Sequence, residues 1–192
     1  MKIDVFLYGY YGFSQLRAIL YRLLTGIRFR SVGKNLKIFG ARTMNIGDGL
    51  SLGDACWIHA VTKYKGVEYS PSLNIGDDVS FSDSVHVSCI NEIRIGSGTL
   101  IGSGVYIGDH SHGSTNLSPA DRLIPPALRP LAEAAPILIG DNVWIGDGAR
   151  ILAGSVIPDG SIVGANSVVK AKFTEPGVIA GAPASMKRRF FK

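Results

Sequence analysis

The chain has 192 residues, enough for one domain with a buried core, and its 46% hydrophobic residues exclude a disordered protein. Its two cysteines cannot form a disulfide framework and predict free thiols in a reducing cytoplasm. The net charge of +5 is concentrated at the two chain ends, where it suits phosphates or a membrane surface. No basic helix interleaved with aromatic residues accompanies this charge, so nucleic acid is not the expected partner.

Residues 1–34 form a basic, amphipathic first segment. Within it, large apolar residues recur at helical spacing: Phe13, Leu16, Leu20, Leu23, Leu24 and Ile27. Arg17 and Arg22 interrupt the apolar run, so a membrane span is not predicted, and the start lacks the cleavage site of a signal peptide. The helix is predicted either to cap the repeats that follow or to touch a membrane or a lipid-linked substrate. We expect a cytoplasmic protein, with peripheral contact to the inner membrane left open.

Residues 35–175 are built on a repeat of six residues. Fifteen hexads begin with an aliphatic or aromatic residue, many continue with glycine, and they fill four blocks: 46–63, 75–92, 95–112 and 139–174. This period matches neither a helix, at about 3.6, nor an alternating strand, at about 2. It fits short strands joined by turns, with three hexads closing one coil and glycine permitting unusual backbone angles. The prediction is an all-β solenoid, a parallel β-helix whose hexapeptide form resembles the left-handed variety.

Two external loops interrupt the hexads, and a basic tail follows them. Residues 64–74 form a short loop, and residues 113–136 form a long one that holds five of the nine prolines. A long loop inside a regular solenoid is typical of a functional segment. Residues 176–192 are predicted to form the C-terminal tail.

The chain contains four histidines. His59 is expected to be structural. His86 falls one coil from Tyr106, not from His110 or His112, so three imidazoles are not expected to converge within one chain. A metal site is therefore not predicted, although ligands shared across a subunit interface would satisfy zinc.

Three further stretches extend the pattern: "DHSHG" at 109–113, "GDNVWIG" at 140–146 and "GVIAGAPASMKRR" at 177–189. Together with the hexads, they resemble the hexapeptide-repeat sugar O-acetyltransferases. These include the maltose and galactoside acetyltransferases and, above all, enzymes that acetylate lipopolysaccharide O-antigen, capsule or exopolysaccharide. The resemblance covers about residues 35–190. It implies a homotrimer that moves acetyl from acetyl-coenzyme A to a sugar hydroxyl of a cell-surface polysaccharide precursor, without a metal.

The resemblance also implies a catalytic histidine just before the extruded loop. His112, at the sixth position of its hexad, is preferred as the general base, and His110 is the competing candidate. A neutral imidazole can take the hydroxyl proton while the thioester is attacked, which is worth about 10² to 10⁴ in rate. Asp109 either orients an imidazole or serves the turn. The remaining candidate acceptor contacts are Asp83, Tyr64 and Tyr69, the tyrosines by stacking on sugar rings.

Coenzyme A is implied to lie along the outside of the C-terminal coils, between two subunits. Trp144 matches the family tryptophan near the thioester arm, and its sixth hexad position predicts exposure independently. The other candidate cofactor contacts hold the pantetheine arm or the phosphates: Gly146, Gly164, Ala165, Ser167, Lys170, Lys187 and Arg188.

The N-terminal segment and the long loop depart from the maltose and galactoside enzymes. Both departures favour a larger acceptor, lipid-linked or nucleotide-linked, over a small free sugar. Two alternatives to O-acetylation stay open. One is N-acetylation of an amino sugar by the same histidine, and the other is a metal-binding carbonic anhydrase-like protein or a scaffold of the same fold.

Overall fold

The structure, a computed structural model, describes residues 5–114 and 116–190, with side chains from residue 12 onward. The first four residues of segment 1–34 and the last two of the tail 176–192 thus lie outside the described residues.

One α-helix, a series of short strands and three short 3₁₀ helices make up the described part of the fold; the 3₁₀ helices span Ala41–Thr43, Asp121–Leu123 and Pro126–Leu128. The helix α1 spans Val5–Thr25. The strands are β1 (Phe29–Val32), β2 (Lys37–Phe39), β3 (Met44–Ile46), β4 (Leu50–Leu52), β5 (Trp57–Ala60), β6 (Lys63–Tyr64), β7 (Val67–Glu68), β8 (Ser72–Ile75), β9 (Ser80–Phe81), β10 (His86–Cys89), β11 (Glu92–Ile95), β12 (Leu100–Ile101), β13 (Tyr106–Gly108), β14 (Ser111–His112), β15 (Leu131–Ala132), β16 (Ile137–Ile139), β17 (Trp144–Ile145), β18 (Arg150–Leu152), β19 (Val156–Ile157), β20 (Ile162–Val163), β21 (Val168–Val169), β22 (Gly177–Gly181) and β23 (Ala184–Arg189).

Three sheets of parallel strands carry the repeat, and the chain visits them in a fixed rotation. The first sheet has the order β1-β4-β9-β12-β17-β20-β22-β23, with only the last pair antiparallel. The second has the order β2-β5-β10-β13-β18-β21, and the third runs from β3 through β8, β11 and β16 to β19. Each circuit of the chain adds one strand to each sheet. The predicted three-strand coil of hexads is therefore present along the chain.

The first residues of the hexads form the core. On the second sheet Ile58, Val87, Ile107 and Ile151 stand in register, and each is fully buried. Stacking like residues in this way buries an apolar column along the coil axis. Truncating a central member such as Ile107 to alanine would cost about 2–5 kcal/mol.

Hexad position two requires glycine because a side chain there would have no room, and not because of its backbone angle. A Cβ at Gly47 or Gly102 would collide with the carboxylate of Asp77 or Asp147 in the next coil. These carboxylates accept backbone N–H bonds across the corner, 2.7 Å from Asp48 N in the case of Asp77. The positive φ values occur at position four instead, as at Gly104. The expected role of the position-two glycine was thus wrong, because the sequence does not show the neighbouring coil.

The helix α1 packs on the first coil through its small and polar side. Ser14 and Ala18 are buried, and Arg17 Nε donates to the carbonyl of Val32 at 2.8 Å. The large apolar residues on the other side are more than half exposed: Phe13, Leu16, Ile19, Leu20, Leu23 and Leu24. The helix therefore covers the coil while presenting an apolar stripe outward. No helix in residues 5–114 or 116–190 is both long and apolar enough to cross a membrane.

Two hairpins carry the external loops. The strands β6 and β7 pair antiparallel at residues 63–68, so the short hairpin begins one residue before the predicted loop 64–74. The strand β14 pairs antiparallel with β15 where the long loop leaves and returns. The Tyr69 hydroxyl donates to the Leu131 carbonyl at 3.1 Å and accepts from the Leu131 N–H at 2.9 Å. Tyr64 donates to the carbonyl of Ala127 at 3.2 Å. The short loop thus holds the long one against the coil.

The sheets extend beyond the hexad region at both ends. The strand β1 opens the first sheet inside segment 1–34, and β22 and β23 close it inside segment 176–192. The two cysteines, Cys56 and Cys89, are free and buried. Burial raises the pKa of the Cys56 thiol to about 11.

Candidate functional site

A buried carboxylate and an imidazole meet where the chain leaves the second sheet after β13. His110 Nδ1 lies 2.9 Å from Asp109 Oδ1, and the Asp109 side chain is fully buried. The carboxylate also accepts the N–H of Ile90 at 2.9 Å and the N–H of Asn91 at 2.8 Å. With Nδ1 donating to Asp109, the neutral imidazole carries its free lone pair on Nε2. This geometry favours the orienting role of Asp109 over a mere turn role.

The surroundings of Asp109 keep its carboxylate charged beside His110. Burial raises the pKa of Asp109, but hydrogen bonds from His110 and from the Ile90 and Asn91 N–H groups outweigh it and bring the pKa below its usual value. Asp109 is therefore ionised at neutral pH and can stabilise an imidazolium that forms on His110. Burial and the nearby carboxylate raise the pKa of the Cys89 thiol, which stays protonated and lies 3.4 Å from Asp109 Oδ2.

A cavity of about 200 Å³ opens in front of His110 and is lined by all four histidines. His110 Nε2 lies 3.5 Å from the Ser88 hydroxyl, and Ser88 stands in register with His59. The expectation that the imidazoles do not converge was wrong, since all four line this cavity. The structural role of His59, whose ring contacts Phe39 and Trp57, stays a prediction. The predicted register of His86 with Tyr106 is confirmed, but the corner after β13 and the β14 hairpin bring His110 and His112 back to the same wall. Among the described residues, no three His, Cys, Asp or Glu side chains could hold a metal ion together.

The cavity wall is aromatic. Trp57 and His86 stack with ring centroids 4.3 Å apart and planes 5° from parallel, and Tyr106 meets His86 edge-on at 5.3 Å. Burial and then neighbouring histidines lower the pKa values of His59 and His86, so both rings are neutral at pH 7. Trp57, His59, His86 and Tyr106 were not identified as site residues from the sequence. Trp57, His86 and Tyr106 each hold the sixth position of a hexad in successive coils, and that alignment could have revealed them.

His112 occupies a different setting. It is exposed on β14, opposite Leu131, and its ring meets Tyr64 edge-on at 5.5 Å. Tyr64 lines the cavity, whereas the hydroxyl of Tyr69 is engaged with the backbone of Leu131. The buried carboxylate supports His110 rather than His112.

A second cavity of about 320 Å³ shares His110 with the first. Its lining includes Gly108, Ser111, Leu152 and Lys170. His110 thus borders two cavities, which is the arrangement required to stand between two reactants.

Asp83 and Trp144, predicted to contact the acceptor and the cofactor, line neither of the cavities that His110 borders. Asp83 sits at a corner of the coil, where its carboxylate accepts the Asp54 N–H at 2.7 Å. Trp144 is 52% exposed on the first sheet, between Leu100 and Ile162.

The predicted cofactor residues of the last coils have mainly structural contacts within the chain. A Cβ at Gly146 would lie 2.7 Å from the Ala165 backbone nitrogen, and one at Gly164 would press on Ala180. The Ser167 hydroxyl accepts the Gly181 N–H at 3.2 Å. Lys187 and Arg188 are exposed on β23. Of the predicted cofactor residues, only Lys170 shares a cavity with His110 within one chain.

Comparisons with known proteins agree with this architecture. The family model described as bacterial transferase hexapeptide (six repeats) matches residues 136–171. The chain is 35% identical over 191 residues to the "Putative lipopolysaccharide biosynthesis O-acetyl transferase WbbJ" of Escherichia coli K12, covering 95% of this chain and 91% of that protein.

Two solved structures illustrate the shared fold. A variant of AntD, an N-acyltransferase from Bacillus cereus in complex with dTDP-4-amino-4,6-dideoxyglucose and coenzyme A, superposes with a TM-score of 0.68 at 16% identity, covering 90% of this chain and 88% of that one. A hexapeptide-repeat acetyltransferase of Vibrio cholerae in complex with acetyl-coenzyme A gives a TM-score of 0.58 at 21% identity, covering 100% and 93%. At these identities the likeness concerns the fold.

Proposed function

Because the chain belongs to the hexapeptide-repeat acetyltransferase family, we propose that it transfers acetyl from acetyl-coenzyme A to a sugar hydroxyl of a cell-surface polysaccharide precursor. Its 35% identity to the lipopolysaccharide O-acetyl transferase relative supports the substrate class. The observation that carries the proposal is the His110–Asp109 pair, with its Nε2 facing a cavity lined by aromatic residues.

His110 is the proposed general base, in place of the preferred His112. The acceptor hydroxyl donates its proton to His110 Nε2 while its oxygen bonds to the thioester carbonyl carbon. The C–S bond then breaks, and the imidazolium returns the proton to the departing thiolate, so that an acetyl ester and free coenzyme A result. Asp109 holds the imidazole in the required tautomer and balances its charge throughout.

The two cavities give the two substrates separate approaches to His110. We place the acceptor in the cavity with Trp57 and His86, and the thioester in the cavity with Lys170. In the second cavity the ammonium group of Lys170 offers a partner for an anionic group of the cofactor. The Glu133 carboxylate lines the same cavity and accepts from the Ser111 and Ser114 hydroxyls. Lys187 and Arg188, on the last strand, are the proposed contacts for its phosphates.

A left-handed parallel β-helix that assembles as a trimer is part of the proposal. Within one chain Trp144 and the glycines of the last coils do not reach His110, and a neighbouring chain would bring such a surface to it. The exposure of Trp144, 52% in one chain, supports this assembly, since a large exposed indole favours a partner. Light scattering should give a mass three times that of the 20.5 kDa chain.

The N-terminal helix suggests where the enzyme works. Its outward apolar stripe, with Leu23 79% and Leu24 72% exposed, lies in a basic segment and suits the surface of an anionic membrane. We therefore propose a cytoplasmic enzyme peripheral to the inner membrane, where lipid-linked glycans are assembled.

The test is thiol release from acetyl-coenzyme A by the purified protein, with nucleotide sugars, free sugars and lipid-linked glycans as acceptors. Release that depends on acceptor supports the reaction class. Mild alkali separates the two possible products, because an O-acetyl ester is hydrolysed while the amide of an N-acetylated amino sugar survives. Coenzyme A release that no acceptor stimulates would count against the proposal.

A further inference from the structure

The outward face of the second sheet carries a continuous row of aromatic rings that extends well beyond His110. Trp57, His86 and Tyr106 stand in register on neighbouring strands, as do Phe39 and His59. We call these five residues the aromatic ladder. The ring centroids of Phe39 and His59 lie 5.4 Å apart, and those of Trp57 and His59 lie 6.2 Å apart with nearly parallel planes. The ladder crosses four strands, from β2 to β13, a length of about 14 Å at the usual spacing of strands.

One end of the ladder is the proposed acceptor cavity. Trp57, His59, His86 and Tyr106 line that cavity together with His110. Gly108 lies at the His110 end of the ladder, and a Cβ there would collide with the Tyr106 hydroxyl, so the glycine allows the Tyr106 ring to lie over the strand. The other end, at Phe39 and Lys37, lies in the first coil, which α1 closes.

The ladder remains open at its far end. Phe39 is 51% exposed and Trp57 is 36% exposed. Lys37 Nζ lies 5.5 Å from the centroid of the Trp57 ring. A row of exposed aromatic rings that is continuous with a cavity is a common sign of a binding surface.

We propose that the aromatic ladder is an extended track for the acceptor glycan, so that the enzyme acetylates an assembled oligosaccharide rather than a nucleotide-linked monosaccharide. This inference rests on the proposed function and names its substrate class. Sugar rings present C–H groups on their faces and hydroxyls on their edges. The ladder offers matching partners, with flat apolar rings for the faces and imidazole nitrogens and a phenol for the hydroxyls.

The charges around the cavity favour an oligosaccharide over a nucleotide sugar. A nucleoside diphosphate carries several negative charges and calls for cationic partners. Among the described residues that line the cavity, none is a lysine or an arginine. The two ladder histidines are neutral at pH 7, because burial lowers their pKa values, and so they add no positive charge. The cavity end of the track therefore suits uncharged sugars. The two cations on the same face, Lys37 and Arg150, lie one strand beyond Trp57 and Tyr106 at its two ends.

Fluorescence gives a direct measure of binding to the track. The chain has two tryptophans, so the Trp144→Phe variant leaves Trp57 as the sole indole reporter. N-acetylglucosamine and its β1,4-linked dimer, trimer and tetramer serve as probes, since stacking on aromatic rings tolerates differences between sugars. We expect the Kd to fall about tenfold from monomer to tetramer, equivalent to about 1.4 kcal/mol.

Phe39→Ala removes the far rung of the ladder without touching the catalytic pair. It should raise the Kd of the tetramer about tenfold and leave the Kd of the monomer unchanged. Leu138→Ala is the matched control, because Leu138 is a large apolar residue, 36% exposed, on the outward face of the third sheet. It should leave both constants unchanged. A Kd that does not depend on probe length, or an equal loss in Phe39→Ala for monomer and tetramer, would overturn the inference.

Acetyl-coenzyme A turnover by the native protein, in which Trp144 is intact, separates this inference from the proposed function. Thiol release with a nucleotide-linked monosaccharide as efficient as with any oligosaccharide would overturn the track and leave the acetyltransferase standing. Length-dependent binding without thiol release would support the track and count against the reaction.

Discussion

Replacing Asp109 with asparagine removes the negative charge beneath His110 while keeping the size of the side chain. In the native protein the carboxylate accepts from His110 Nδ1, fixes Nε2 as the free base and offsets the positive charge of the imidazolium. An asparagine amide in that place would donate to Nδ1 and turn the proton toward Nε2, the atom that must accept it. In a catalytic triad the same exchange costs about 10⁴ in kcat. We expect Asp109→Asn to lower kcat by about 10² to 10⁴ and to leave the KM for acetyl-coenzyme A within about twofold.

The same substitution also affects stability. The carboxylate holds the Ile90 and Asn91 N–H groups at 2.9 and 2.8 Å with both of its oxygens. An amide has one oxygen, so one buried N–H would lose its acceptor, at a cost of about 1–3 kcal/mol. The variant should therefore remain folded at 25 °C and unfold at a lower urea concentration.

A matched control separates the two effects. Asp77 also accepts a backbone N–H across a corner of the coil, at 2.7 Å from Asp48 N, and lies outside both cavities that His110 borders. Asp77→Asn should cost some stability and leave kcat unchanged. Stopped-time assays of thiol release, paired with urea unfolding followed by circular dichroism, measure both quantities. An Asp109→Asn enzyme that is folded and retains more than about a tenth of the native kcat would refute the role assigned to Asp109.

Three further predictions concern pH, the long loop and the helix. Folding lowers the pKa of His86 from 6.5 and so favours the neutral ring. This contribution to the free energy of unfolding is complete above pH 6.5 and is lost as the pH falls through the lowered pKa. Urea unfolding at pH 7 and pH 5 should therefore show a smaller loss of stability at pH 5 in His86→Phe than in the native protein. Tyr69→Phe removes both hydrogen bonds to the Leu131 backbone, each worth about 1 kcal/mol. Proteolysis within residues 113–136 should become faster while the coil stays intact. An unchanged rate of cleavage would show that other contacts hold the loop. Leu23→Glu should reduce co-flotation of the protein with vesicles that contain anionic lipid. Gln15→Glu, which makes the same charge change on the same helix, should reduce co-flotation less. Equal reductions would show that charge alone, and not the apolar stripe, governs membrane binding.

Much of the coil could be predicted from the sequence because its physics is local and periodic. An aliphatic residue every six positions places one side chain per strand in the core, and the pairing of His86 with Tyr106 follows from counting hexads. The strand β1 could have been found, because it ends on Val32, which with Gly33 begins the hexad VGKNLK. It escaped detection because the six-residue frame is broken before Ile46.

The site was harder to predict because it depends on contacts between coils and on loops that leave the repeat. The gathering of four histidines requires the turn after β13 and the antiparallel pairing of β14 with β15. The hexad at 107–112 instead suggested that the chain continues along the coil, whereas Ser111 and His112 leave it in a hairpin. The burial of Asp109 depends on two N–H groups of the preceding coil. For the helix, hydrophobic spacing identified an amphipathic face, but that face points outward, since Ser14 and Ala18 pack on the coil.

The choice of His110 as the catalytic base is tested most directly by two single variants. Thiol release from acetyl-coenzyme A with the acceptor that the panel identifies would be measured for His110→Ala and His112→Ala. Only His110 has the buried carboxylate partner, so His110→Ala should lose at least about 10² in kcat, and His112→Ala should stay within about tenfold of the native enzyme. Loss of activity in His112→Ala with near-native activity in His110→Ala would contradict the account.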